Sequence, residues 1–129
     1  MKYKEKINGK DGCYWIEDGI VRHNVAVKEY TLEMAKEVVK FCKKLNKGSK
    51  QKCLLLVDMG NVTDQTPEST KYMSSDPEIK KVFQKVALMV KNIFVKMAGE
   101  CYLKLANPIV PTKLFTDEAG AIKWLKSNK

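Results

Sequence analysis

The sequence predicts an α/β domain: a mixed, mostly parallel sheet of about five strands with helices packed on it, in the order β-β-α-β-(αα)-β-α-β-α. Three observations carry this. Two short segments are joined at Asp18-Gly19; two apolar runs, CLLLV at 53–57 and VALMV at 86–90, are bounded by polar residues; and apolar residues recur at helical spacing between and after those runs. Strands alternating with helices lead to right-handed crossovers and a layered domain.

The stretch CYWIEDGIVRHNVAV reads as a hairpin, roughly residues 12 to 27, because Asp-Gly supplies the positive φ angles of a tight turn. In TLEMAKEVVKFCKKLNKG, Ala35, Val38, Val39, Cys42 and Leu45 share a helix face, with Thr31 as N-cap, Glu33 in the first turn, and Lys43, Lys44 and Gly48 at the carboxyl end. CLLLV is too short for a helix and suits a central strand covered on both faces. Thr66-Pro67 and Asp76-Pro77 each give a cap followed by a helical proline, predicting short helices near 67–74 and 77–85. VALMV repeats the buried-strand signature. From an Asn92 cap, Phe94, Met97, Ala98, Cys101 and Leu105 then form one apolar helix face. Pro108 and Pro111 hold the chain extended, KLF at 113–115 makes a short edge strand, and Thr116 caps a last helix with Asp117 and Glu118 in its first turn. Ala121, Ile122, Trp124 and Leu125 supply its apolar side.

At 129 residues, with 44% hydrophobic and 30% charged residues, the chain is expected to form a single domain over 1–129, with 1–11 poorly ordered or an edge segment. No segment reaches the roughly 20 apolar residues of a membrane span, and the start has no apolar h-region of a signal peptide, so a cytoplasmic protein is expected. Cys13, Cys42, Cys53 and Cys101 form no C-x-x-C pair, and with His23 the only histidine they make no spaced zinc motif. They read as reduced thiols acting as small hydrophobes. The net charge of +9 could suit nucleic acid, but Arg22 is the only arginine among 24 basic residues, and no lysine run exceeds two. Lysine is a hydrated point charge that decorates any solvated surface, whereas arginine supplies the bidentate fork. Nucleic acid is therefore the weakest partner class.

The leading hairpin, the LLLVDM strand, the helical insert, VALMV and the ending PTKLFTDEAGAIKWL together resemble small bacterial single-domain proteins of the STAS-like group. This group shares its fold with the anti-sigma-factor antagonists and the sulphate-transporter domains. The resemblance covers most of 12–127 and implies a non-enzymatic regulatory or protein-interaction module, in a subgroup without a defined activity. Antagonists carry a phosphorylatable residue after the strand ending in Asp, in a pattern like D-L-S-x-V-x-x-I-D-S-[ST]-G. Here DMGNVTDQTPEST keeps Asp58, Gly60 and Val62 but loses the I-D-S-[ST]-G core, and with a two-residue deletion Gln65 falls on the phosphosite.

Ligands of open α/β sheets bind beyond the carboxyl ends of the strands. The candidate site for a partner or anion is accordingly Asp58, Gly60, Asn61, Thr63, Thr66 and Ser69, with Thr66 and Ser69 as candidate phosphorylation positions; the structural alternative is that Thr66 only caps a helix and Asp58 a turn. His23, beside Arg22, reads as a surface strand residue, and adjacent Asp117 and Glu118 serve the helix dipole rather than forming a catalytic pair. Pro108–Pro111 reads as a stiff linker, and Gly9-Lys10-Asp11-Gly12 lacks the spacing of a phosphate loop. Met59, Met89, Phe94 and Met97 read as core, with an apolar pocket edged by Lys91 and Lys96 as the alternative. No enzyme activity, cofactor or metal is expected. The expected partners are another protein or a second copy in a homodimer; the alternative is a small hydrophobic ligand or lipid.

Overall fold

A computed structural model describes residues 7–9, 12–45 and 51–127. β1 (Ile7–Gly9) runs antiparallel to β2 (Gly12–Glu17), which pairs antiparallel with β3 (Ile20–Val25). The turn between β2 and β3 is the expected one: Asp18 and Gly19 hold φ of 57° and 79°. At Gly12 a Cβ would lie 2.0 Å from the Asn24 carbonyl oxygen, so only glycine lets the hairpin close there. β4 (Glu29–Tyr30) precedes α1 (Leu32–Leu45), whose Met34 N–H donates to Thr31 Oγ1 at 3.4 Å. Thr31 is the cap its sequence suggests. Gly48, and the rest of 1–11 apart from β1, lie outside the described residues.

β5 (Cys53–Asp58) sits between β3 and β7, parallel to both, as a doubly covered run should. β6 (Asp64–Gln65) pairs with β4 as a separate two-stranded ladder. α2 (Pro67–Ser75) and α3 (Pro77–Val82) start at Thr66 and Asp76, each followed by proline at the first helical position. The expected helix over 77–85 ends three residues early. Phe83 is already extended (φ −110°, ψ 142°), and β7 (Phe83–Met89) reaches back to pair Phe83 with Cys53 across a register shift. The pull of the ladder outweighs helix propensity.

α4 (Ile93–Ala106) begins at the predicted Asn92 cap, whose side chain accepts from Val95 N at 3.0 Å. β8 (Thr112–Phe115) adds parallel to β7, completing a six-stranded sheet in the order β1-β2-β3-β5-β7-β8. α5 (Glu118–Lys126) is capped by Asp117 and not by Thr116: Asp117 Oδ2 accepts from Gly120 N at 2.8 Å, while Thr116 is exposed between strand and helix.

Alternation along each strand divides the core in two. On one face Val25, Leu55, Val57 and Val86 pack against Met34, Val38, Val39 and Ile79 of α1 and α3. On the other, Ile20, Leu56 and Ala87 meet Ala121 and Leu125 of α5. α4 departs from this economy. No residue of it is buried, and of the face of Phe94, Met97, Ala98, Cys101 and Leu105, expected to be core, all but Ala98 point into solvent, with Phe94 78% and Leu105 87% exposed. Cys42 and Cys53 are buried, but Cys13 is only half-buried and Cys101 is exposed, so four interior thiols reduce to two.

Candidate functional site: a cavity beneath the fourth helix

α4 stands off the sheet and roofs a half-open cavity of about 680 Å³. The crossover from β7 to β8 must carry a helix across the sheet because the two strands are parallel. Gly99 lets that helix approach β8, since a Cβ there would lie 2.5 Å from Leu114 Cδ2. Val57, Leu88 and Leu114 form the floor, and Val95, Ala98 and Leu103 of α4 form the roof. The loop from Met59 to Gln65 and the α2 residues Thr70, Met73 and Ser74 close one side. Met59 and Val90 follow the last residues of β5 and β7, so the cavity opens beyond the carboxyl ends of the central strands, where α/β sheets bind ligands. Its size and apolar floor are those of a small-molecule site.

Of the six loop residues singled out in the sequence, Thr63 belongs to the cavity wall. The others build the loop. Asp58 Oδ1 accepts from Gly60 N at 2.9 Å, Asn61 is exposed, and Thr66 Oγ1 accepts from Ser69 N at 3.2 Å as the α2 cap. Ser69 has no exposed surface, and its hydroxyl lies 2.9 Å from the Thr66 carbonyl and 3.2 Å from that of Tyr30. This hydroxyl ties β4 to α2. Of the four methionine and phenylalanine positions, Met59 lines the cavity, Met89 packs in the α5 core, and Phe94 and Met97 face solvent. Lys91 and Lys96 are not in the wall, and Lys96 instead pairs with Glu100 at 3.8 Å.

His23 is buried, which reverses its reading as a surface residue. Its ring stacks on Tyr14 with centroids 4.5 Å apart, Nδ1 has no hydrogen-bond partner among the described residues, and desolvation lowers its pKa to about 4. It is a neutral core imidazole outside the cavity wall. Arg22, also buried, reaches Glu118 at 3.5 Å on the opposite face of the sheet. A hydrogen bond with Cys53, and then burial, push the Cys42 thiol up, keeping it protonated at neutral pH.

Residues 14–129 match the family described as a domain of unknown function, DUF7793. The chain belongs to the DUF7793 family. No curated protein matches its sequence. Among solved structures, an uncharacterised protein from Shewanella loihica, of the DUF3478 family and with a SpoIIAA-like fold, superposes with a TM-score of 0.55 at 15% identity, covering 95% of this chain and 93% of that one. The DUF7793 chain thus has a SpoIIAA-like, STAS-like fold, as its leading hairpin and closing segment suggest. Among the described residues no helix is long and apolar enough to cross a membrane.

The cavity of this DUF7793 domain left one trace in the sequence. IFVKMAGECYLKLA has apolar residues around most of its circumference and only three charges, where a helix with one covered face would show a polar half.

Proposed function

We propose that this domain is a non-enzymatic binding module for an apolar small molecule, held between α4 and the sheet. The cavity carries this reading: an apolar space of about 680 Å³ at the carboxyl ends of the central strands, under a helix that buries none of its own residues. Filling that space would bury apolar surface on α4 that the sheet leaves uncovered, at about 25 cal/mol per Å². N-phenyl-1-naphthylamine, an apolar dye that brightens out of water, tests it. The wild-type protein should bind one dye per chain saturably, and Leu88→Trp and Val95→Trp, which add bulk from the floor and from the roof, should each abolish binding without unfolding the domain. Dye binding unchanged in both variants removes the reading.

A second reading, a cytoplasmic regulatory module acting through protein contacts, draws on the outer face of α4, where Phe94, Met97 and Leu105 are exposed together. It takes the form of a homodimer joined along that helix. Sedimentation should then show a concentration-dependent dimer that Leu105→Lys converts to monomer; a monomer at every concentration rules it out.

A further inference from the structure

Resting on the apolar-ligand reading, the polar part of the same cavity points to the chemistry of the ligand's head. We infer that the cavity selects an aliphatic molecule ending in an uncharged hydrogen-bond donor, an alcohol-type head, and discriminates against a carboxylate of the same chain length.

Among the described residues the wall contains no lysine, arginine or histidine, although the chain has 24 basic residues. Its one charged residue is Asp64, an acid, exposed at the rim. Six residues of the wall carry hydroxyls, and the four on serine and threonine each have their hydrogen directed at a backbone carbonyl. Thr63 Oγ1 donates to Lys28 O at 3.5 Å, Thr70 Oγ1 to Thr66 O at 3.2 Å, Ser74 Oγ to Lys71 O at 3.4 Å, and Thr112 Oγ1 to Val110 O at 3.0 Å. A hydroxyl has one hydrogen and two lone pairs, so groups bonded in this way offer a ligand acceptors and no donor. Among the described residues, the side-chain donors left in the wall are the Gln65 amide, the Tyr102 hydroxyl and the Tyr30 hydroxyl, which is buried without a hydrogen-bond partner; all three are neutral, so none supplies the charge that would offset a carboxylate.

A ligand hydroxyl can donate to such a wall. A carboxylate brings only acceptors, meets no cation, and must give up water beside Asp64. The net charge of +9 pulls anions toward the surface as a whole. That attraction is screened over about 8 Å at physiological salt, whereas the wall acts at contact.

Displacement of N-phenyl-1-naphthylamine by 1-dodecanol and by dodecanoate, at about pH 8 where the acid is ionised and about 0.15 M salt, decides it. 1-Dodecanol should bind at least about tenfold more tightly than dodecanoate. Asp64→Asn, which keeps the oxygen that accepts from Gln65 N, should tighten dodecanoate several-fold and leave 1-dodecanol within about twofold. Equal binding, or tighter binding of dodecanoate, overturns the inference and leaves the cavity reading standing. Binding of neither compound, together with no dye binding, overturns both.

Discussion

Burial of His23 gives the domain an acid-sensitive core. The unfolded chain takes up a proton at this residue near pH 6.5 and the native state near 4, so between those values the unfolded state holds more protons. Stability from this group is complete above pH 6.5 and falls as pH drops toward 4. At about 1.36 kcal/mol per unit, the loss from pH 7 to pH 5 is about 2 kcal/mol, above the range where carboxylates titrate. Urea unfolding at the two pH values should show that difference, and His23→Leu should flatten it. Lys85 is the converse case, a buried charge that is fully used. Its Nζ donates to Trp124 O at 3.0 Å, Ser127 O at 2.8 Å and Ser127 Oγ at 2.9 Å, closing the carboxyl end of α5 from inside the sheet. Lys85→Met strands those acceptors, so it should cost about 2 to 3 kcal/mol by the same measurement, although methionine is the more apolar residue. Neither role was legible from neighbours in sequence. Arg22 beside His23 suggests an exposed strand, yet the alternation that points Arg22 at α5 points His23 to the opposite face, where its ring stacks on Tyr14. The partners of Lys85 lie about forty residues downstream.

Elements were legible where local and tertiary forces agree. Thr31, the apolar spacing from Ala35 to Cys42 and the brevity of CLLLV each favour the state the fold also favours, so α1 and β5 lie where their residues put them. Boundaries moved where the two forces compete. Helix propensity carries 77–85 onward, but pairing with Cys53 takes Phe83 into the sheet. At the last helix two capping residues stand side by side, and the extent of the β8 ladder chooses between them: Phe115 pairs with Met89, leaving Thr116 in the connection and Asp117 at the cap. Asp117→Ala should therefore lower stability by about 1 kcal/mol, while Thr116→Ala should stay within about 0.5 kcal/mol. Thermal melts of the two variants separate the assignments, and a larger loss at Thr116 would restore the sequence reading.

Across the whole molecule the helices cover the sheet unequally. α1 and α3 bury a continuous cluster, α5 closes a smaller one, and α4 touches the sheet mainly where Gly99 meets Leu114. An apolar stripe says that a helix has something to cover, but not on which side, nor whether the space beneath it is filled by side chains. That is why the fold could be read from the sequence and the cavity could not. The same imbalance makes α4 the helix with the least tertiary support, and local opening follows support. Among the five helices of the described residues, amides of 93–106 should exchange with deuterium fastest. A molecule that enters the cavity replaces the missing core, so saturating 1-dodecanol should slow α4 exchange selectively. It should also raise the global unfolding free energy by about 2.7 kcal/mol at a hundredfold excess over its Kd. Stabilisation without slower exchange in α4 would place the ligand elsewhere in the domain. Slower exchange confined to α4 and its facing strands would show that the ligand, rather than any side chain, completes that half of the core.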